Sequence, residues 1–256
     1  MTGTRENPVA AAKRKRQKKF GKLRVVSHNA DAVASSNTAV KSPKKKGATV
    51  LEILRERIAS HVLAPGSRLR ENDLADELGV SRARIREAFG VLEERGLIIR
   101  IANRGAMVTR LDAKQVFEIF DVRERLEALC ARAAAINAPD GGWDDLVEQF
   151  GDLLEKEIAA GNFIAYLNAL VRLRERMIHY ADNSIAENML DLVYDKAQGI
   201  ARRVVILPGR AQLGMQLHRQ LLAAFIARDP DEAERIKRHI IVSAREQVKQ
   251  YQEFVI

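Results

Sequence analysis

Three arginines stand within five residues of one another in a segment that has helical periodicity. Arg82 and Arg86 are one helical turn apart and lie away from the apolar face of the segment, and Arg84 flanks them. A guanidinium group can donate two hydrogen bonds to the edge of one guanine or can pair with a phosphate. This arrangement is therefore suited to reading double-stranded DNA, although spacing alone leaves open a helical domain whose arginines are only a solvated face.

The residues around these arginines predict a winged helix-turn-helix. Ser81 can cap the arginine-bearing helix, and Gly79-Val80 supplies the turn from a short helix that precedes it. The apolar face of the second helix carries Ile85, Ala88, Phe89 and Leu92. Residues 97–101 and 106–108 then predict a β-hairpin around the turn Asn103-Arg104-Gly105. This order of elements would place the arginine-bearing helix in a major groove of DNA.

The segment ENDLADELGVSRARIREAFGVLEERGLIIRIANRGAMV, residues 71–108, closely resembles the DNA-binding domain of GntR-family bacterial regulators. The resemblance is long and ungapped, and it points to the branch of the family that carries an FCD effector domain. It implies that Arg82 and Arg86 are the arginines of the recognition helix. It also implies that Arg104 and Gly105 form the tip of the wing, which approaches the minor groove.

Two positions depart from the family pattern. Asn72 stands where the family usually has an arginine, and Arg84 stands where it usually has proline or threonine. One expected DNA contact is therefore in doubt, and the operator can differ from the commonest site of the family. The candidate DNA-binding residues are Arg70, Ser81, Arg82, Arg84, Arg86, Arg104 and Gly105.

The chain after residue 110 is predicted to be entirely helical, because apolar residues recur at helical spacing between breakers and no useful strand alternation appears. One predicted helix runs from Trp143 to Ala160 with both Leu153 and Leu154 on its apolar face. The first helix of the winged domain is predicted to extend from Val50 to Val62. The expected fold class is therefore mainly α, an N-terminal winged helix-turn-helix followed by a C-terminal helical bundle.

The bundle also resembles a known domain. The stretches VRERLEALCARAAA, GNFIAYL and ARDPDEAERIKRHI are similar to the FCD domain, which implies a cavity that holds a small organic acid, often beside a divalent metal. The family binds that metal with an Asp-x-x-x-His pair and two later histidines. Leu170 and Arg174 replace the first two ligands here, so only His218 and His239 remain as a tentative, incomplete metal site. A bound metal or another cofactor is therefore not expected.

The replacement suggests a second role for the same cavity. Arg174, together with Arg123 on the helix that matches the family's "VR..LE" motif, would clamp a carboxylate or phosphate, with His218 and His239 as hydrogen-bonding groups. The alternative that Arg174 belongs to an exposed basic stripe remains open. On this interpretation residues 47–110 form the DNA-binding domain, and residues 111–256 form the effector-binding and dimerisation domain.

Nearly all the basic charge lies before the winged domain. The chain has a net charge of +9, and residues 1–46 contain 13 lysines and arginines against only Glu6 and Asp31. Dense like charge with few apolar residues predicts a disordered tail. One interpretation of the tail is a non-specific DNA arm. The equally good alternative is that the tail is a solubilising extension, or that the start codon has been assigned upstream of the true one.

No catalytic motif was found, so we expect a protein that is not an enzyme. The single cysteine, Cys130, suits a reducing cytoplasm, and no apolar run is long enough to span a membrane. The sequence therefore predicts a cytoplasmic, nucleoid-associated homodimer that represses transcription at an inverted-repeat operator and responds to a small carboxylate or phosphate-bearing effector. The alternative is a non-specific nucleoid-type nucleic-acid binder that depends on the basic tail.

Overall fold

The computed structural model describes residues 48–101 and 105–255. The basic tail and Arg104 lie outside this range. In the N-terminal part, the elements are α1 Val50–Ala59, β1 Arg68–Leu69, α2 Glu71–Leu78, α3 Arg82–Glu94, β2 Ile98–Ile101 and β3 Gly105–Val108. The C-terminal helices are α4 Ala113–Asn137, α5 Asp144–Gln149, α6 Asp152–Ala159, α7 Ile164–Ala181, α8 Ser184–Val205, α9 Arg210–Ile226, α10 Pro230–Gln250 and α11 Gln252–Val255.

The N-terminal part is a winged helix-turn-helix, as predicted. The apolar face of α3 is buried against α1 and α2, and its four predicted core residues are at most 6% exposed. The hairpin pairs Ile98 with Val108 and Ile101 with Gly105. The strand β1 was not predicted; its two residues pair with Ala106 and Met107 and complete a three-stranded sheet in the order β1-β3-β2. A strand of two residues is too short to show an alternating pattern.

The first helix is shorter than predicted. The hydroxyl of Ser60 donates a hydrogen bond to the carbonyl of Glu56 at 2.7 Å, and His61 adopts a positive φ of 60° that ends the helical path. Val62 therefore points to solvent and is 71% exposed. The prediction that Val62 continues the apolar face is wrong because helical spacing does not reveal where the backbone leaves the helix.

The C-terminal part is a bundle around α4. Asp112 caps this helix by accepting a hydrogen bond from the backbone amide of Gln115 at 2.8 Å. Alanines on its inward faces are fully buried, and their small side chains let α7 and α10 pack closely against it. These fully buried alanines are Ala128, Ala131, Ala134 and Ala135. No helix within the described residues is long and apolar enough to cross a membrane.

The helix predicted from Trp143 to Ala160 is two helices, α5 and α6. They separate at Gly151, where a β-carbon would lie 2.8 Å from the carbonyl oxygen of Glu148, so the turn requires glycine. The break changes the direction of the chain and with it the buried face. Leu154 is 5% exposed and belongs to the core, whereas Leu153 is 80% exposed, so its predicted core position is wrong.

The two adjacent leucines provide a direct test of this break. Leu154→Ala should lower the free energy of unfolding by about 2–5 kcal/mol, because it leaves a cavity in the core. Leu153→Ala is the matched control and should change it by less than about 0.5 kcal/mol. Urea unfolding followed by circular dichroism measures both values. Similar losses for the two variants would show that α6 buries both leucines.

Candidate DNA-binding surface and effector cavity

The turn before α3 is built as predicted. Gly79 ends α2 in the left-handed conformation at φ 65°, and the hydroxyl of Ser81 accepts a hydrogen bond from the amide of Arg84 at 3.4 Å. This turn aims the start of α3 outward. The side chains of Arg82, Arg84 and Arg86 are all exposed, and the same surface also exposes Arg70 and Gly105.

Arg86 has a partner that was not predicted. Its Nε donates a hydrogen bond to Oε2 of Glu71 at 2.7 Å, which links the recognition helix to the start of α2. This bond uses the inner nitrogen of the guanidinium group and leaves the Nη1 and Nη2 fork available for two parallel hydrogen bonds. Glu71 thus fixes the direction of the arginine that the family resemblance assigns to base reading.

A groove of about 510 Å³ runs between α2, α3 and the hairpin, and we call it the arginine groove. Its lining includes the predicted residues Arg70 and Arg82. It also includes two arginines that were not predicted, Arg68 and Arg100. These two come from β1 and β2, so their approach depends on the pairing of β1 with β3, which local sequence patterns do not show.

The helical bundle contains a second cavity, of about 150 Å³, which we call the bundle cavity. It brings together three of the four predicted effector residues, Arg123, Arg174 and His218. The alternative interpretation, in which Arg174 belongs to an exposed basic stripe, is therefore wrong. The neighbouring Arg172 and Arg176 bind Asp145 on α5, whereas Arg174 lines the cavity and lies over the ring of Tyr194.

His239 does not belong to this cavity. It is exposed, and α10 instead lines the cavity with Lys237 and residues spaced three or four positions along the same face. Two helical positions correspond to a rotation of about 200°, so Lys237 and His239 face opposite sides. The predictions that His239 binds the effector and that it shares a metal with His218 are therefore wrong.

The cavity contains a buried ion-pair cluster. Glu127 is 1% exposed and accepts a hydrogen bond from Nε of Arg123 at 2.7 Å, while Nζ of Lys237 lies 2.6 Å from its other oxygen. Burial alone would raise the pKa of Glu127, but the two cations outweigh burial and lower it to about 2. Arg123, Arg174, Lys237 and Arg210 line the cavity, and Glu127 is the carboxylate among its described lining residues.

Arg210 is the most unusual of these cations. It is 6% exposed and donates hydrogen bonds to Oγ of Ser243 at 3.0 Å and to the carbonyl of Ile240 at 3.2 Å, both neutral groups. No carboxylate of the described residues lies within ion-pair distance of it. Burial lowers the pKa of Arg210 from its ordinary value. A buried guanidinium without a counter-charge is costly, and an anionic ligand would offset that cost.

His218 lies at the inner wall of the cavity as a neutral group. Its Nδ1 is 2.6 Å from the carbonyl of Gly214, which can only accept, so Nδ1 carries the proton; the hydroxyl of Tyr166 is 3.3 Å away. Burial and then the charge of Lys237 lower the pKa of His218 to about 3. The imidazole therefore stays uncharged at neutral pH.

The residues present do not fit a divalent metal ion. His218 is accompanied in the cavity by several cations, which repel a metal, and the two carboxylate oxygens of Glu127 are taken by Arg123 and Lys237. Within the described part of the chain, no group of three or more His, Cys, Asp or Glu side chains could hold a metal. Zinc sites normally need at least three protein ligands.

Comparison with known proteins agrees with this architecture. Residues 46–108 match the model of the gntR family of bacterial regulatory proteins, and residues 118–242 match the FCD domain. The HTH-type transcriptional regulator YdhC of Bacillus subtilis is 30% identical over 193 residues, which cover 73% of this chain and 83% of YdhC. The chain belongs to the GntR family. This GntR regulator therefore combines a winged DNA-binding domain with an FCD domain.

Two further matches are informative in different ways. The gluconate operon transcriptional repressor of Bacillus subtilis is 42% identical over 86 residues, which cover 34% of this GntR regulator and 35% of the repressor. The structure of Escherichia coli McbR/YncC superposes with a TM-score of 0.65 over 80% of this chain and 96% of that one. At 21% identity, the second match supports the fold alone.

The buried His218 gives a pH prediction for this GntR regulator. The folded protein keeps the imidazole neutral, whereas the unfolded chain takes up a proton near pH 6.5, so stability falls as the pH is lowered below that value. When the pH is lowered from 7.5 to 5, the imidazole of His218 should account for about 2 kcal/mol of the decrease in the free energy of unfolding. Urea unfolding of wild type and His218→Gln at both pH values measures the difference. Equal losses in both proteins would show that His218 does not titrate as stated.

Proposed function

We propose that this GntR regulator is a sequence-specific repressor whose hold on DNA is controlled by a small organic anion bound in the bundle cavity. The observation that carries the proposal is the charge of this cavity, where Arg123, Arg174, Arg210 and Lys237 face a single described carboxylate, Glu127. Such an excess of buried positive charge is compatible with a small carboxylate or phosphate ester, and it disfavours a neutral or cationic ligand.

The winged domain supports DNA binding. α3 exposes its arginines, and Glu71 leaves the outer fork of Arg86 free for a guanine edge. The arginine groove beside it offers further guanidinium groups to phosphates. A homodimer would present two such surfaces about one helical turn of DNA apart, so the operator should be a short inverted repeat.

The similarity to the gluconate operon repressor supports repression as the mode of action. That match spans 86 residues, 34% of this chain, so it supports the mode of action and carries no information on the identity of the effector. The bundle cavity, of about 150 Å³, indicates a small molecule whose anionic groups contact Arg174 and Arg210. His218 would then serve as a neutral hydrogen-bonding group.

The first experiment identifies the operator. The full-length protein is incubated with fragmented genomic DNA from its own source at physiological salt, and the retained fragments are sequenced. Enrichment of a few promoters that share an inverted repeat would support the specific regulator, and the neighbouring genes would suggest the chemical class of the effector. Uniform retention across the genome would instead favour the tail-driven, non-specific binder.

The same operator separates the two DNA-binding hypotheses by mutation. Arg86→Ala should weaken operator binding by about 10–100-fold and bring it close to binding of random DNA, because a bidentate guanine contact is lost. Deletion of residues 1–46 should weaken binding to operator and to random DNA about equally, and it should reduce the salt dependence of both affinities. Arg235→Ala, which removes an exposed arginine on α10, is the control and should leave both affinities unchanged. A specificity ratio that survives Arg86→Ala would contradict the assigned role.

The effector hypothesis makes a prediction about anion binding. Titration calorimetry with acetate, lactate, succinate, citrate and inorganic phosphate at constant ionic strength should reveal at least one ligand that also releases the operator. Arg174→Gln should lower the affinity for that ligand by about 10–100-fold, because a charge-assisted hydrogen bond is lost. Arg172→Gln, two residues away on the outer face of α7, is the matched control. Equal affinities of both variants and wild type would place the ligand elsewhere.

A further inference from the structure

Two aspartates of α8 hold the winged domain through two of its arginines. Arg55 on α1 donates from Nε to Oδ1 of Asp195 at 2.9 Å and from Nη2 to Oδ1 of Asp191 at 3.1 Å. Nη1 of Arg95 lies 2.7 Å from Asp191 and 2.6 Å from Asp195. We call these four residues the interdomain clamp. The clamp connects α8 both to α1 and to the C-terminal end of the recognition helix α3, and so it fixes the orientation of α3.

The clamp is shielded from water at its centre. The side chain of Asp195 is 2% exposed, whereas those of Arg55 and Arg95 are 28% and 23% exposed. The hydrogen bonds that Arg95 donates to Asp191 and Asp195 raise the pKa of Arg95. Partly buried pairs are screened less by salt than exposed ones, so the clamp depends strongly on the position of Asp195.

The residue beside Asp195, Tyr194, contacts two of the arginines that line the bundle cavity. Tyr194 is 6% exposed, and the guanidinium carbon of Arg174 lies 4.2 Å from the centre of its ring. Arg123 lies over the same ring at 5.6 Å. The tyrosine hydroxyl has no hydrogen-bond partner in the described part of the chain, and burial and then the nearby carboxylate of Glu127 raise the pKa of Tyr194 well above its ordinary value.

We propose that Tyr194 and Asp195 are positioning residues that couple anion binding in the bundle cavity to the orientation of the winged domain. The inference rests on the proposed function for the identity of the signal. An anion that pairs with Arg174 and Arg123 draws their guanidinium groups away from the face of Tyr194. The ring then repacks, α8 shifts at this point, and Asp195 loses its alignment with Arg55 and Arg95.

The structure leaves room for this movement. Asp195 also lines a cavity of about 350 Å³ between α1, the wing and α8, whose walls include Ile58, Leu97 and Ile200. Open space beside the clamp lets the winged domain change orientation without displacing core side chains. The coupled element is therefore one short segment of α8 with the effector cations on one side and the clamp on the other.

The first test needs no ligand. Hydrogen–deuterium exchange of the full-length protein compares Arg174→Leu, which removes the nearest cation from the Tyr194 ring, with Arg172→Leu on the outer face of the same helix. Arg174→Leu should increase exchange in α1 and at the end of α3 by about two- to fivefold, the range expected for one cation–π contact. Arg172→Leu should leave both segments unchanged. Arg174→Gln repeats the comparison if the leucine variant is poorly folded.

A double-mutant comparison tests the route through the ring. In a Tyr194→Leu background, Arg174→Leu should have no further effect on α1 and α3, whereas a Tyr194→Phe background should retain the full effect because the ring is preserved. The inference is overturned if Arg174→Leu leaves α1 and α3 unchanged, or if its effect is equally large without the aromatic ring.

The second test uses the operator and the member of the anion panel that binds most tightly. That anion should weaken operator binding by about 5–150-fold in wild type and Tyr194→Phe, and by less than twofold in Tyr194→Leu and Asp195→Asn. Glu56→Gln, which breaks an exposed ion pair between α1 and Arg202, should preserve the full response. If the anion binds and releases the operator but Arg174→Leu leaves hydrogen–deuterium exchange in α1 and α3 unchanged, the coupling route is rejected and the proposed effector site stands. If Arg174→Leu increases exchange in α1 and α3 but no anion of the panel binds, the proposed effector is rejected and the coupling route stands.

Discussion

The effector domain depends on one buried carboxylate, Glu127. Taken out of water, a charge of either sign is costly unless it is paired, and Glu127 pairs with Arg123 on its own helix and with Lys237 on α10. It thereby ties together the two helices with the most extensive packing in the bundle. Without Glu127 the cations of the cavity would repel one another, and the cavity would not persist in this form.

One carboxylate does not neutralise the whole cluster, however. Arg210 and Arg174 remain without an acidic partner among the described residues and are held by neutral groups or by the ring of Tyr194. The same residues make the cavity unsuited to a divalent metal, which would add positive charge. In the proposed function, the guanidinium and ammonium groups that the fold fixes in this cavity would supply the positive charge that binds the anion.

Local signals made most of the fold predictable. The capping residues Ser81 and Asp112 and the periodicity of α3 act within a few residues, and the structure agrees with them. The family pattern predicts a cavity residue of α10 at His239, whereas the helical spacing of the buried residues of α10 includes Lys237 instead. The pair formed by Arg55 and Asp195 spans 140 positions and depends on how two domains pack, which one sequence does not reveal.

In the proposed coupling, the position of Tyr194 would let a small ligand control a large surface. Its ring contacts Arg174 and Arg123, and the next residue, Asp195, pairs with arginines of α1 and of the end of α3, so the proposed route needs no long chain of side chains. In the proposed coupling, both sides of this segment of α8 have two distinct states. The guanidinium group of Arg174 either faces the ring of Tyr194 or pairs with an anion. Asp195 is either aligned with Arg55 and Arg95 or has lost that alignment. In the proposed dimer the two recognition helices must match half-sites about 34 Å apart, so a small rotation of each winged domain suffices to lose one of them.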